Sequence, residues 1–261
     1  MLTNVLNDIS WDDPAIVKEI SGVLFQIAKR TDLQEVLSEK VKTFRFGGSN
    51  FNNNTLSTFK NLESLELSKI KELTDLDLKR LERLKHLNLS ESIIETVKLD
   101  NLKTLETLDL NSTKALKLLS LKDINPLKNL DLAGSSVETV ELDTLKALET
   151  LNLSQTKALR SLSLKELNSL EDLYLWDSSV QTVELDNLKS LEELDLGDTK
   201  TLKSVSLKNL DSFKDLDLRG SNVETIDLEN IEALEKLSLH DTPNLKSLFL
   251  KDLDSLKDLY L

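Results

Sequence analysis

From Leu62 to Leu261 one apolar phrase, L-x-x-L-x-L with Ile, Val or Phe admitted at its apolar positions, returns every 10 or 11 residues. Its final leucine falls at Leu67, Leu78, Leu89, Leu99, Leu110, Leu121 and Leu132, and the register then holds to Leu261. The steps cycle 11, 11, 10, 11, so four phrases make a unit of 43 residues, with starts at Leu62, Leu105, Leu148, Leu191 and Leu234. A fixed internal period is the signature of a solenoid. The register also runs backward. Val41-Lys42-Thr43-Phe44-Arg45-Phe46 fits the phrase, and Gly47-Gly48-Ser49-Asn50 parallels Ala133-Gly134-Ser135-Ser136 and Arg219-Gly220-Ser221-Asn222. The array is therefore expected to occupy residues 41–261.

The phrase has the physics of a strand. In L-x-L the two leucines lie on one face and the residue between them on the other. A step of 10 or 11 residues is too short for a strand and a full helix. Two phrases per turn instead give a coil of 21 or 22 residues with a parallel sheet on each side. Odd phrases, such as those ending at Leu67, Leu89 and Leu110, would form one sheet, and even phrases, ending at Leu78, Leu99 and Leu121, the other. One coil cannot bury its leucines alone; stacked coils build a continuous core.

Leu105-x-x-Leu108-x-Leu110-x-x-Thr113, followed by Leu116-x-x-Leu119-x-Leu121-x-x-Ile124, resembles the leucine-rich repeat family. The resemblance implies a β-rich solenoid. It says little about function. In many family members position 9 is Asn. Here it is Ser49, Ile70, Ser92, Thr113, Ser135, Thr156, Ser178, Thr199, Ser221 and Thr242. These hydroxyls are expected to bond the turn backbone in place of an Asn ladder. The second side, where many members carry helices, here carries strand phrases such as Leu159-Arg160-Ser161-Leu162-Ser163-Leu164. A right-handed parallel β-helix of the pectate-lyase type is the competing fold. The repeated hydroxyl favours the leucine-rich form.

Residues 1–40 leave the repeat. Asp13-Pro14 reads as a helix start, with Asp as N-cap and Pro at N1. Ile16, Val17, Ile20, Val23, Leu24, Ile27 and Ala28 follow at helical spacing, and Thr31 or Asp32 can cap a second short helix with Leu33, Val36 and Leu37. A helical N-terminal cap over the first coil is expected, with an F-box-like recruitment segment as the alternative. At the other end the sequence stops on a strand phrase, so an open edge near Leu259 and Leu261 is expected. A chain cut from a longer protein, or edge pairing with another chain, accounts for it.

Charge narrows the partners. The chain has 46 acidic and 33 basic residues, a net −13. That disfavours nucleic acid, which needs clustered cations, and anionic membrane. Without Cys, and with only His86 and His240, no cofactor or metal site is expected. No phosphate loop, H-E-x-x-H or nucleophile elbow occurs, so an enzyme is not expected. The absence of a signal peptide at the given start and of Cys makes a cytoplasmic location the expectation.

Outward residues separate the two faces. On the even side, the residue after each strand alternates in sign: Lys79, Asp100, Lys122, Asp143, Lys165, Asp186, Lys208, Glu229, Lys251. This reads as a solvated, register-setting surface. On the odd side the column Glu63, Lys85, Glu106, Lys128, Glu149, Glu171, Glu192, Lys214, Glu235, Lys257 loses its alternation at Glu171. Nearby stand Asp172, Tyr174, Trp176, Asp177, Glu193, Asp195, Asp198, Asp215, Asp217 and Arg219, and His240 and Tyr260 extend the columns. Aromatics in an acidic field suit an interface hot spot. The leading expectation is a protein-interaction module that takes a basic protein partner on this face. A structural subunit associating through its C-terminal edge is the alternative, and a glycan-active enzyme using Asp195 and Asp217 is a third.

Overall fold

The computed structural model describes residues 34–46, 56, 58–71, 76, 78–99, 102–165, 167–185 and 188–261. The helix expected after Pro14, the Gly47–Asn50 turn, and Asp100 and Asp186 of the charge column lie outside the described residues. The chain forms two compact units, Met1–Leu127 and Lys128–Leu261.

In the first unit, helix α1 (Gln34–Lys40) runs into the array. Leu37 is fully buried, and Val41 closes the helix by donating its N–H to the Leu37 carbonyl at 3.2 Å. Odd strands β1 (Thr43–Arg45), β2 (Ser64–Glu66), β3 (His86–Asn88) and β5 (Thr107–Asp109) pair in parallel, in that order. Even strands β4 (Thr96–Lys98) and β6 (Leu118–Ser120) pair with each other. Phe44 and Phe59 stack with ring centroids 5.0 Å apart.

The second unit repeats the scheme. Its odd sheet runs through β7 (Asn129–Asp131), β8 (Thr150–Asn152), β10 (Asp172–Tyr174), β12 (Glu193–Asp195), β14 (Asp215–Asp217), β16 (Lys236–Ser238) and β18 (Asp258–Tyr260), all parallel. Even strands β9 (Ser161–Ser163) and β11 (Thr182–Glu184) form one pair, and β13 (Ser204–Lys208), β15 (Thr225–Glu229) and β17 (Ser247–Lys251) a separate three-stranded sheet. Leucines meet across the central coils: Leu151, Leu173, Leu194 and Leu216 stack in register, all at 0% exposure. Each such side chain contributes roughly 1.5–3 kcal/mol.

The expected two-sided array is present, but its even side is discontinuous. Thr139-Val140-Glu141 forms no strand, and Val140 is only half-buried. The even phrases pack less deeply than the odd ones and hold only short ladders.

The turn hydroxyls divide by residue type. Thr113, Thr156, Thr199 and Thr242 each donate Oγ1 to the carbonyl three residues earlier at 2.6 Å, and Ser92 does the same. Ser135, Ser178 and Ser221 have a buried Oγ with no partner among the described residues. The backbone N–H onto the same carbonyl is correspondingly shorter in those coils. It is 3.0–3.1 Å for the three serines and 3.3–3.4 Å for Thr113, Thr156 and Thr199. The residue just before the hydroxyl is left-handed throughout, as at Glu91, Ser112, Gly134, Gln155, Asp177, Asp198, Gly220 and Asp241.

Candidate protein interface on the odd sheet

Parallel register sets the geometry of the candidate face. One column reads Thr150, Asp172, Glu193, Asp215, Lys236, and the next outward column Asn152, Tyr174, Asp195, Asp217, Ser238. Strands of a parallel sheet lie about 4.8 Å apart, so each residue touches its counterpart in the next coil.

The second column has a structural task that the sequence did not reveal. In most coils its Asn or Asp accepts the backbone N–H two residues on. Asn88 Oδ1 takes Ser90, Asp109 takes Asn111, Asp131 takes Ala133 and Asn152 takes Ser154, at 2.8–3.1 Å. Asp195 takes Gly197 at 2.8 Å and Asp217 takes Arg219 at 3.0 Å. This is an Asx ladder that closes each turn after an odd strand. Tyr174 interrupts it between Asn152 and Asp195, and the ladder stops again at Ser238.

The sequence-selected residues are partly assembled. Tyr174 donates its hydroxyl to Glu193 at 3.4 Å, and the Trp176 indole Nε1 donates to Asp198 at 3.2 Å. Both aromatics are half-buried, less exposed than their outward positions imply. Trp176 lies against Gly197 of the next coil: a Cβ there would stand 3.0 Å from Trp176 Cδ1 and 3.5 Å from Arg219 Cγ. Gly197 thus makes the seat for the indole, a role the sequence reading missed. A one-coil shift from Trp176 would have located it.

Three candidates serve neighbouring contacts. Asp177 pairs with Lys157, Asp198 with Lys200 at 3.1 Å, and Arg219 Nε with Asp217 Oδ2 at 3.0 Å. His240 is half-buried three coils beyond Trp176, and its carbonyl accepts the Gly220 N–H at 3.0 Å. It joins the column but not the aromatic pair. Asp215, an acid the sequence also placed on this face, lies beside Glu193 in the first column. Lys236 pairs with its Oδ2 at 2.8 Å, while its Oδ1 is buried without a partner among the described residues.

The crowding of acids shows in the proton affinities. Burial pushes the Glu193 carboxyl up, and Asp215 and Asp172 add to it. Burial likewise raises Asp195, against the lowering effect of the Gly197 N–H. Tyr174 is pushed up to about 12 by burial, then by Glu193 and Asp172. Among the described residues no group of three or more His, Cys, Asp or Glu is placed to hold a metal ion.

Opposite charges pair at several stacked positions of the alternating columns. Lys85–Glu63, Lys128–Glu149, Lys214–Glu192 and Lys257–Glu235 pair on the odd side at 2.6–3.3 Å. On the even side Glu229 pairs with both Lys208 and Lys251. Glu171 has no cation within ion-pair distance among the described residues.

Solved structures with the same architecture include the functional domain of InlJ from Listeria monocytogenes. Its TM-score is 0.66 at 17% identity, over 88% of this chain and 55% of that one. A chain of the mouse RP105/MD-1 complex matches with a TM-score of 0.65 at 24% identity, over 87% of this chain and 43% of that one. A Leptospira interrogans LRR protein matches with a TM-score of 0.51 at 19% identity, over 88% and 80%. The fold is that of the leucine-rich repeat proteins. The chain spans about half of the InlJ and RP105/MD-1 chains. The InlJ domain includes a cysteine ladder; this chain has no Cys. No protein-family model matches the sequence, and no curated protein matches it.

Proposed function

We propose that this leucine-rich repeat chain is a protein-interaction module that docks a basic partner on the odd face around Tyr174, Trp176 and Asp195. The break in the Asx ladder at Tyr174 carries this reading. Asn152, Asp195 and Asp217 each satisfy a turn N–H, and Tyr174 has no acceptor to do so. Such a hydrogen bond contributes about 1 kcal/mol. Giving it up places an aromatic two residues before Trp176, with Asp172, Glu193 and Asp195 close by. Aromatics that are already partly held lose little freedom on binding, and acids beside them steer a cationic partner. A chain of similar fold occurs in a two-protein complex, RP105/MD-1.

A non-catalytic role fits the same geometry. Asp195 and Asp217 are register neighbours, but each holds its own turn, and Asp217 also pairs with Arg219. Both carboxylates thus have a turn-forming task in the fold.

The test is a panel of lysine- and arginine-rich peptides, with each binder titrated calorimetrically. Trp176→Ala is expected to weaken binding by about 2 kcal/mol or more. Binding should also fall as salt rises. Unchanged affinity of every binder for the variant overturns the reading.

A second reading is association through the last coil. Leu248, Phe249, Leu259, Tyr260 and Leu261 are all exposed there. Self-association that Leu259→Lys abolishes would support it, and a monomer at all concentrations would sink it.

A further inference from the structure

We propose that a corner pocket of the first unit binds an aliphatic carboxylate, of the kind presented by a peptide that ends in leucine. The pocket lies where the turn after β3 stacks on the turn after β5. Its volume is about 610 Å³, and Glu91, Ile93, Asn111, Ser112, Lys114 and Ala115 line it. That volume falls within the range of ligand sites, roughly 300–1,000 Å³.

The 43-residue period gives this corner an internal control. Ile93 is 46% exposed; the equivalent positions one, two and three units on are Ser136, Ser179 and Asn222. An aliphatic side chain thus faces water where the repeat otherwise places a polar one. Lys114 differs as well. Its equivalents Lys157 and Lys200 pair with Asp177 and Asp198. Lys114 makes no ion pair among the described residues. Glu91, the acid of the pocket, is already engaged by Lys69 at 3.4 Å. The corner therefore offers one uncompensated cation beside an apolar wall of Ile93 and Ala115. The Asn111 amide and Ser112 hydroxyl add donors.

The complementary ligand has a branched aliphatic group and a carboxylate a few bonds away. A free branched acid has both, but it is small for this volume. A peptide terminus fills the space and leaves through the open side. The site is independent of the odd-face reading, which concerns the second unit.

The test follows the Ile93 Cδ1 methyl by NMR in the full chain. The probes are acetyl-Gly-Ser-Gly-Leu as free acid, the same peptide as C-terminal amide, and 4-methylpentanoate. The free-acid peptide should shift the methyl saturably, and the amide should bind at least about tenfold more weakly, as loss of a charged hydrogen bond implies. Lys114→Gln should reproduce the loss, and Lys157→Gln should not. Both positions are exposed, so both variants fold. In a second variant, Ile93→Ser, binding read from Ala115 should fall likewise. Tighter binding of the peptide than of 4-methylpentanoate supports a peptide terminus, and the reverse assigns the same chemistry to a free acid. No saturable shift with any probe, or equal binding of acid and amide peptides, overturns the proposal.

Discussion

Trp176 rests on the backbone of Gly197 in the next coil, where a Cβ would approach its Cδ1 to 3.0 Å and the Asp195 carboxylate to 3.1 Å. The glycine has no left-handed backbone to protect, so the constraint is steric alone. Gly197→Ala should lift the indole and lengthen its bond to Asp198. Global stability should change by less than about 1 kcal/mol, because reduced unfolded-state freedom offsets part of the crowding. With Trp11→Phe as background, the Trp176 emission should shift to the red. An unchanged spectrum would mean that the indole does not depend on this seat.

The two kinds of turn hydroxyl make a matched experiment. Thr156 Oγ1 is buried and donates to the Leu153 carbonyl at 2.6 Å, whereas Ser178 Oγ is buried without a partner. Thr156→Val keeps the shape and removes the bond, so it should cost about 1 kcal/mol in urea unfolding. Ser178→Ala removes an unsatisfied hydroxyl and should be neutral or stabilising by up to about 1 kcal/mol. Equal losses in the two variants would contradict the difference between the coils.

The leucine phrase made the stacked coils legible because each strand repeats the same period of two. Val137-x-x-Val140-x-Leu142 uses the same letters as Val180-x-x-Val183-x-Leu185, yet only the second forms a strand. Neither the apolar residues of the phrase nor their burial marks that difference: Val140 and Val183 are both half-buried, and Leu142 and Leu185 are both buried. The Asx ladder was hidden for another reason. Asn88, Asp109, Asp131 and Asn152 sit at outward positions, where a polar residue needs no explanation. Their bond to the residue two further on emerges only with the turn. It also changes the meaning of Asp195 and Asp217, which read as site acids in sequence and prove to be turn formers as well.

Glu171 carries the one lost alternation of its column. Its N–H bonds the Glu149 carbonyl at 2.8 Å and its carbonyl receives the Glu192 N–H at 2.7 Å, so three acids stack directly. Lys128 relieves Glu149 and Lys214 relieves Glu192, from the outer sides only. Glu171→Lys would restore the pattern and should stabilise by about 0.5–1 kcal/mol at low salt. The gain should shrink at 1 M salt, where charges are screened within about 3 Å. A gain independent of salt would point to packing rather than charge.

Tyr174 supplies a pH window of its own. Its hydroxyl is pushed up to about 12 from an ordinary 10.0, mainly by burial and then by Glu193 and Asp172. The folded chain therefore holds the phenol proton over a range where the unfolded chain releases it. The folded state then binds more protons, so stability falls as pH rises from 10 towards 12. The raised lysines Lys214 and Lys236, held by Glu192 and Asp215, also lose their contribution in alkali, so the wild-type slope alone does not isolate the tyrosine. Tyr174→Phe cancels the lysine effect in the difference. The variant should lose less stability than wild type between pH 10 and pH 12, and the two should run parallel between pH 6 and pH 9. Parallel curves through the alkaline range would show that the Tyr174 proton is not held by Glu193 and its neighbours.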